Sequence, residues 1–231
     1  MKIIKPPGKV KILGVFSGKE GESPLQLIEL AGRTAYRSQA KITPDSAPKF
    51  VKKLLKRGHE SVIEHSAMMV RFSNVSRAFT HQLVRHRLAS FTQESSRYID
   101  FRNNFQVVCP PERDPNEKVA ELLLPDGHKI RLSFAEWVAL NEKMYSALRQ
   151  AGWLPEEARQ ILPVGIANQI VMTTNFREWR HIFAVRCAAD AHWEIRLTML
   201  ELLKKAQNLI PVIFDDFEID SSVPCARLKK V

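Results

Sequence analysis

The sequence predicts an α+β fold, with a mixed or antiparallel sheet flanked by helices and a long buried helix near the C-terminus. Strand-like and helix-like segments are irregularly interspersed, unlike the regular alternation of a doubly wound parallel sheet. Two apolar runs within 118–132, separated by a Pro-Asp-Gly-His sequence, indicate a hairpin. A chain of 231 residues with 45% hydrophobic content can bury one sizeable core. We therefore expect one domain over 1–231, with 211–231 as a loosely ordered tail.

The first third of the chain predicts a strand, two helices and a second strand. Lys9–Phe16 is rich in β-branched residues and alternates in polarity, which indicates a strand. Helical patterns cover Pro24–Tyr36 and Pro44–Arg57, the second with a proline in its first turn and Gly58 as a stop signal. Ser66–Phe72 is the next expected strand.

The middle of the chain predicts two capped helices with a strand and the hairpin between them. Ser76 is suited to cap a helix that runs to about Leu88. Phe105–Cys109 is an expected strand. Ser133–Glu136 has the spacing of a capping box and opens a helix that ends near residue 152.

The C-terminal part predicts a long helix buried on both sides. A short helix, Pro155–Leu162, precedes an apolar segment, Ile166–Thr174. Asn175 caps the long helix, which we expect to run to about Leu209. One apolar stripe on it consists of Trp179, Ile182, Ala189, Trp193, Leu197 and Leu200. The opposite face carries Ala184, Ala188, Ile195 and Met199.

Composition narrows the class of protein. The formal net charge of +10 favours anionic partners such as nucleotides, phosphorylated cofactors or nucleic acid. Cys109, Cys187 and Cys225 are isolated in the sequence, which argues against a zinc ribbon or a disulfide framework and fits a reducing compartment. The N-terminal residues do not read as a signal peptide, and no apolar run reaches the roughly 20 residues that span a bilayer. We therefore expect a cytoplasmic protein.

Residues 85–98 concentrate hydrogen-bond donors. The segment begins Arg85-His86-Arg87, ends Arg97-Tyr98 and carries hydroxyl and amide side chains between them. This density of donors costs solvation energy unless an anionic ligand compensates it, so the segment is the first candidate for a phosphate site. Ser95 has no dedicated base in the sequence, and we interpret it as a donor to phosphate oxygens instead of a nucleophile.

Helical geometry separates the two arginines of this cluster. At about 100° per residue, Gln82 and Arg85 share one face of the helix that Ser76 opens, and Arg87 falls roughly 160° from Arg85 among apolar residues. We therefore expect two ligands, one on each side. The alternative is that Arg85 is a solvated surface residue and Arg87 extends past the apolar surface to water.

Arg186 lies near the centre of the apolar stripe on the long helix. A buried arginine cannot lose its charge, so Arg186 needs an anion or the polar edge of a ligand. The structural alternative is a pair with Asp190, one turn later, or with Glu194. Arg177 and His181 lie in the first turns of the same helix, close to its partial positive charge, which also attracts anions.

The segment His59–His65 superficially resembles a zincin motif. Its histidines are six residues apart, so a helix would place them on different faces. We predict no metal site there, and keep His59 and Ser61 as candidate ligand contacts.

Residues 85–98 read R-H-R-x-x-S-x-x-x-x-S-x-R-Y, a pattern that resembles the signature of the flavin-dependent thymidylate synthases. Further segments that match the family in order and spacing are His59–His65, Ala158–Pro163, Asn175–Arg177, Arg186 and Trp193–Arg196. The resemblance covers roughly residues 25 to 210. It implies the thymidylate synthase-complementing protein fold and the reductive methylation of dUMP to dTMP.

The resemblance also implies site residues. Those around dUMP would be Gln82, Leu83, Val84, Arg85, Gln93, Glu94, Ser95, Ser96, Arg97, Arg159 and Arg186. Those around FAD would be Ser61, Arg85, His86, Arg87, Gln93, Asn175, Arg177 and His181. Arg186 would be catalytic, because it would meet the uracil edge, favour the N3-ionised form and so polarise the ring.

Partners follow from the same resemblance. NADPH and 5,10-methylenetetrahydrofolate would be co-substrates, and a homotetramer would share its FAD sites between subunits, without nucleic acid, membrane or metal. Some positions depart from the family pattern: His181 stands where asparagine is frequent, Thr92-Gln93 replaces Asn-Glu, and His192 replaces glutamine. Residues 112–132 and those after 211 have no counterpart that we can place.

Other functions compete with this interpretation. An ordinary thymidylate synthase attacks dUMP with a cysteine in a Pro-Cys-His context, which the sequence lacks. A basic RNA-binding protein would explain the net charge and the Arg/His cluster with its nearby aromatic residues. A flavoprotein oxidase would use the FAD residues alone, and would have no need of Gln82, Arg159 and Arg186 as a set that faces uracil.

Overall fold

The computed structural model describes residues 1–229. The strands are β1 (Lys2–Ile4), β2 (Lys9–Val15), β3 (Ala67–Ser76), β4 (Ser90–Gln93), β5 (Gln106–Val108), β6 (Lys118–Leu123), β7 (Lys129–Ser133), β8 (Ala167–Asn175), β9 (Phe217–Asp220) and β10 (Cys225–Leu228). The α-helices are α1 (Pro24–Thr34), α2 (Ser46–Lys56), α3 (Arg77–Leu83), α4 (Phe134–Gln150), α5 (Pro155–Ala158), α6 (Phe176–Arg186), α7 (Trp193–Leu209) and α8 (Pro211–Phe214). Short 3-10 turns lie at Gln39–Lys41, Glu60–His65, Phe101–Asn103 and Arg159–Ile161. No helix within residues 1–229 is both long and apolar enough to cross a membrane.

An antiparallel sheet of order β2-β3-β8-β4 forms the centre of the fold. The strand β1 pairs in parallel with β5, whereas β6 with β7 and β9 with β10 form antiparallel hairpins. Helices pack against the central sheet instead of alternating with parallel strands, so the predicted α+β class is confirmed. The hairpin predicted at 118–132 and the capping box of Ser133 are confirmed as well.

Two clusters of buried side chains fill the interior. The larger lies between the central sheet and the helices packed against it, and includes Phe72, Phe79, Trp179 and Phe214. The smaller surrounds Tyr145 of α4. The division of the chain into one domain stays a prediction.

The prediction of one continuous helix from Asn175 to Leu209 is wrong, because the structure has two helices separated by residues 187–192. The helix α6 ends at Arg186, and the next helix, α7, begins at Trp193. The carbonyl of Cys187 accepts the backbone N–H of Ala226 from β10, at 2.8 Å, so a tertiary partner replaces the next turn of helix. The side chain of His192 then caps α7 by accepting from the N–H of Glu194. Arg186 therefore lies at the C-terminal end of a helix, and not at the centre of a stripe.

We predicted a loosely ordered tail over 211–231. This prediction is wrong for residues 211–228, which form a helix and a hairpin. Pro211 opens α8, whose Phe214 is fully buried, and the β9–β10 hairpin buries Phe217 and Ala226. These apolar side chains join the larger cluster, which gives the segment a reason to order.

The helix after Ser76 is shorter than predicted, because it ends at Leu83. Residues 84–89 form a turn, and Ser90–Gln93 continue as the edge strand β4, paired with β8. The argument that helical geometry separates Arg85 from Arg87 does not apply, since both follow the last helical residue.

Candidate active site

A cavity of 690 Å³, here called the α6 cavity, opens beside the first turns of α6. Its lining includes three residues that the sequence assigned to a flavin: Asn175, Arg177 and His181. Leu88, from the turn after α3, and Leu228, from β10, complete the wall on other sides. Distant segments of the chain thus meet around one space of the size that a cofactor requires.

The first turn of α6 sets the positions of these side chains. Asn175 accepts the backbone N–H of Glu178 at its side-chain oxygen and so caps the helix. Arg177 projects toward the 3-10 turn Glu60–His65, where its Nη1 lies 2.5 Å from Oε1 of Glu64. The hydrogen bond to Glu64 raises the pKa of Arg177. This arginine is half exposed, so the pair contributes little to stability.

Arg186 is held by two protein acceptors at the far end of α6. Its Nε donates to Nε2 of His86 at 2.9 Å, and its Nη2 donates to the carbonyl of Gln82 at 3.1 Å. Within residues 1–229, no hydrogen bond uses Nη1 and no carboxylate forms an ion pair with this guanidinium. The structure therefore does not show the alternative pair with Asp190 or Glu194. Burial lowers the pKa of Arg186.

His86 connects this arginine to a carboxylate. The ring is 6% exposed, and its Nδ1 lies 3.3 Å from Oε1 of Glu178. Burial, then the charge of Arg186 and the neighbouring His181, lower the pKa of His86 to about 4. Burial raises the pKa of Glu178. The ring is therefore neutral near pH 7, and its 3.3 Å contact with Glu178 joins an uncharged imidazole to the carboxyl group instead of forming an ion pair.

A second cavity, of 420 Å³, lies beside α3 and is here called the α3 cavity. It is lined by two of the predicted nucleotide residues, Ser96 and Arg159, which approach each other at 3.4 Å between Nη1 and Oγ. Arg77 and His81 line it too, and the sequence reasoning missed both. Burial and the charge of Arg159 lower the pKa of Arg77. The spacing of Arg77 and His81, one helical turn apart, was the signal available.

Other predicted nucleotide residues lie along β4. The amide Nε2 of Gln93 donates to Thr80 at 2.8 Å and to Asn168 at 2.9 Å, which ties β4 to α3 and β8. Gln93, Glu94 and Ser95 line a third cavity, of 350 Å³, at the edge of the sheet. The structure thus divides five of the predicted nucleotide residues, Gln93, Glu94, Ser95, Ser96 and Arg159, between two cavities.

Several of the predicted site residues do not line any of these three cavities. Arg85 and Arg87 are exposed in the turn after α3, and Ser61 is exposed in the 3-10 turn. Arg97 is half exposed and pairs with Glu156 at 2.9 Å. Val84 is 38% exposed, whereas Leu83 is fully buried.

Three potential metal ligands, His86, Glu178 and His181, lie within 4.8 Å of one another. The lone pair of Nε2 of His86 is engaged by Arg186, and a cation there would stand next to that guanidinium. Electrostatic repulsion disfavours such a site. The absence of a metal from the mechanism stays a prediction.

Comparison with known proteins gives concordant matches. The family model described as thymidylate synthase complementing protein matches residues 19–212. A flavin-dependent thymidylate synthase of Mycobacterium avium is 35% identical over 199 residues, covering 84% of this chain and 79% of that protein. One from Mycobacterium leprae is 33% identical over 203 residues, with 84% and 80% coverage.

A solved structure shows the same fold. The UMP/dUMP methylase PolB from Streptomyces cacaoi, bound with 5-Br dUMP, superposes with a TM-score of 0.67 at 20% identity. The match covers 93% of this chain and 96% of that one. The fold expected from the sequence motifs is thereby confirmed.

Proposed function

The chain belongs to the family of flavin-dependent thymidylate synthases, and on this premise we propose that it is a methyltransferase that converts dUMP to dTMP. FAD is the proposed flavin. When bound, the flavin would supply the hydride after reduction by NADPH, and 5,10-methylenetetrahydrofolate would supply the carbon. The task of the protein is then to position the reactants and to stabilise charge on the uracil ring.

The observation that carries this proposal is the state of Arg186. Its Nε and Nη2 are committed to His86 and to the carbonyl of Gln82, and neither acceptor neutralises its charge. The guanidinium thus keeps a positive charge and the Nη1 donors for a ligand. A uracil ring ionised at N3 is a ligand that this charge would stabilise, which polarises the ring for reaction at C5.

The phosphate of dUMP is assigned to the α3 cavity. Arg77 and Arg159 repel each other there, and an anion between them would relieve that repulsion. Ser96 and His81 offer further donors. The full proposed nucleotide set is Gln82, Leu83, Val84, Arg85, Gln93, Glu94, Ser95, Ser96, Arg97, Arg159 and Arg186, to which the structure adds Arg77 and His81.

FAD is assigned to the α6 cavity. Its volume of 690 Å³ is within the range of cofactor sites, and Arg177 at the helix N-terminus suits a diphosphate. Asn175, Arg177 and His181 offer polar contacts to the cofactor, and its diphosphate would compete with Glu64 for Arg177 in a cavity that Glu60 and Glu178 also line. The proposed residues are Ser61, Arg85, His86, Arg87, Gln93, Asn175, Arg177 and His181.

A homotetramer with shared flavin sites is part of the proposal. Ser61, Arg85 and Arg87 are exposed, and within the described chain they do not line the α6 cavity. A site completed by neighbouring subunits would give these exposed donors a ligand. Size-exclusion chromatography with light scattering would report the assembly.

The decisive experiment is tritium release from dUMP labelled at C5, with NADPH and methylenetetrahydrofolate present. Release that depends on both co-substrates is expected, together with flavin absorbance that NADPH bleaches. A bleached flavin without tritium release would favour the oxidase alternative. A colourless protein that retains RNA would favour the nucleic-acid alternative. Either result would overturn the proposal.

A further inference from the structure

Glu178, His86 and Arg186 form a continuous series of polar contacts that begins at the wall of the α6 cavity. Glu178 lies on the first turn of α6 and lines the α6 cavity, whereas Arg186 ends the same helix. His86 comes from the turn after α3 and bridges them, 3.3 Å from one and 2.9 Å from the other. Neither the sequence motifs nor the comparisons give Glu178 a role.

The ring nitrogen of His86 that carries the proton can be assigned from the donors and acceptors on either side of it. Arginine has N–H donors and no acceptor, so Nε2 of His86 must be unprotonated where it meets Nε of Arg186. A neutral imidazole carries one proton, which then stands on Nδ1. Nδ1 faces Oε1 of Glu178, a hydrogen-bond acceptor. In this arrangement the nearby carboxyl group of Glu178 favours the proton on Nδ1, and the unprotonated Nε2 accepts from Arg186.

We propose that Glu178 and His86 are positioning residues for Arg186, so that Glu178 selects the Nδ1–H tautomer of His86 and thereby orients the guanidinium toward the uracil ring. This inference rests on the proposed function only in naming uracil as the ligand. Without the acceptor on Glu178, the ring can adopt the other tautomer, whose Nε2–H opposes the N–H of Arg186. The guanidinium then loses one of its two protein contacts and its fixed orientation.

The charges around His86 agree with this assignment. Arg186 and His181 both lie on α6 and face the ring, and the two imidazole centroids are 5.7 Å apart. Burial is the largest cause of the lowered pKa of His86. A protonated ring would place a second positive charge beside that of Arg186 in a buried site, so the neutral form is the stable one.

The first test reads the tautomer directly and needs no substrate. Nitrogen-15 NMR of protein labelled at histidine distinguishes protonated from unprotonated ring nitrogens, and loss of a signal in His86→Gln assigns it. We expect the Nδ1–H tautomer in the wild type and in Glu178→Gln, which retains an acceptor oxygen. Glu178→Leu should shift His86 toward the Nε2–H form. An unchanged tautomer in Glu178→Leu would overturn the proposal, whatever reaction the protein catalyses.

The second test reads the consequence for the substrate. Glu178→Leu should lower kcat by about 10- to 100-fold, as expected for a misplaced catalytic group, whereas Glu178→Gln should restore most of the rate. The amount of FAD bound per chain should stay unchanged in both. Loss of FAD with normal kcat in the reconstituted enzyme would instead make Glu178 a simple flavin contact. Glu201→Leu, at an exposed carboxylate on α7, is the matched control.

A double-mutant cycle on dUMP affinity, measured by equilibrium dialysis, isolates the route through Arg186. Glu178→Leu should weaken dUMP binding in the wild-type background and have no further effect in Arg186→Ala. Equal losses in both backgrounds would show that Glu178 acts elsewhere. Failure of the wild type to bind dUMP would instead refute the proposed function.

Discussion

At the scale of single residues, the arginines of the site differ in what they face. Arg177 and Arg97 pair with carboxylates, and Arg180 pairs with Asp216 through both of its terminal nitrogens. Arg186 faces a neutral ring and a carbonyl instead. Its charge is therefore positioned without being neutralised, which is what stabilisation of an anionic ring requires.

The substitution Arg186→Lys should leave the fold intact and remove most of the turnover. A lysine ammonium is a point charge and cannot donate to His86 and Gln82 while presenting a planar edge to a ligand. We expect kcat to fall by at least about 100-fold, the usual cost of one donor to a developing charge. Steady-state tritium release measures it, with the melting temperature and the FAD content as controls. Turnover close to that of the wild type would refute the catalytic role.

The lowered pKa of His86 predicts a dependence of stability on pH. Its pKa is 6.5 when unperturbed and about 4 in the folded protein. The unfolded chain therefore binds more protons between these values, and the contribution of His86 to stability is complete above pH 6.5 and is lost as the pH falls toward 4. Glu178, with its raised pKa, acts in the opposite sense.

Urea denaturation as a function of pH measures this effect. The wild type should lose more of its free energy of unfolding between pH 6.5 and 4 than His86→Gln does. The matched control is His128→Gln, in the exposed turn of the β6–β7 hairpin. Parallel curves for the wild type and His86→Gln would contradict the assignment of a neutral, buried ring.

Each cysteine should be dispensable for catalysis. Cys109 and Cys187 are buried, and burial raises the pKa of Cys187, which disfavours the thiolate that a nucleophile needs. Alanine at any one of Cys109, Cys187 and Cys225 should therefore retain substantial tritium release. Complete loss of turnover in a variant that still folds and binds FAD would count against the flavin route.

The sequence predicted that Arg186 needs a polar partner, because it was placed within an apolar pattern. It was not sufficient to identify that partner, since His86 is 100 residues away in the sequence. Arg77 and His81 were missed for a related reason. Their cavity exists only where Arg159 and Ser96 approach α3, and that approach is a tertiary contact.

At the scale of elements, the start of α3 depends on α7. Glu194, 1% exposed in the first turn of α7, accepts from the backbone N–H of Ser76 at 2.6 Å and from its hydroxyl at 2.5 Å. Ser76 in turn caps α3 by accepting from Phe79. A single carboxylate thus connects α3, the helix that carries Arg77, His81 and Gln82, to α7.

Glu194→Ala should lower the free energy of unfolding by about 3 kcal/mol, because it leaves the Ser76 donors buried without an acceptor. Chemical denaturation measures the loss. Glu201→Ala, at an exposed carboxylate on the same helix, should change stability by less than about 0.5 kcal/mol. Similar small effects for both variants would show that the contact with Ser76 contributes little.

Element boundaries were harder to predict than element types. The strands β2 and β3, the capping box of Ser133 and the hairpin have local patterns, and these predictions are confirmed. The break between α6 and α7 has no comparable signal, because the residues around Ala188 are good helix formers. The helix ends there through a tertiary hydrogen bond from Ala226, which no local pattern shows.

At the scale of the whole molecule, the C-terminal segment belongs to both the core and the site. Leu228 lines the α6 cavity, and Arg180 of α6 binds Asp216 between α8 and β9. The segment was predicted as a loosely ordered tail, although it carries apolar residues such as Ile213, Phe214 and Phe217. Their burial depends on a surface that α6 and α7 create together, and such a surface is visible only in three dimensions.

Phe214 tests whether this segment is part of the cooperative fold. Its ring packs edge-on against Phe176 at 5.9 Å and Phe183 at 5.5 Å between centroids, and it is fully buried. Phe214→Ala should therefore lower the free energy of unfolding by about 3 to 5 kcal/mol. Val223→Ala, at a position 55% exposed in the same segment, should have almost no effect.

Urea unfolding followed by both circular dichroism and tryptophan fluorescence gives the measurement. Trp179 lies in the cluster that Phe214 joins, so its fluorescence reports the same core. Coincident transitions that both move to lower urea in Phe214→Ala would show that residues 211–228 unfold with the core. If Phe214→Ala and Val223→Ala unfold at the same urea concentration, the segment contributes nothing to the core, and the support it lends to α6 and to the α6 cavity must come from elsewhere.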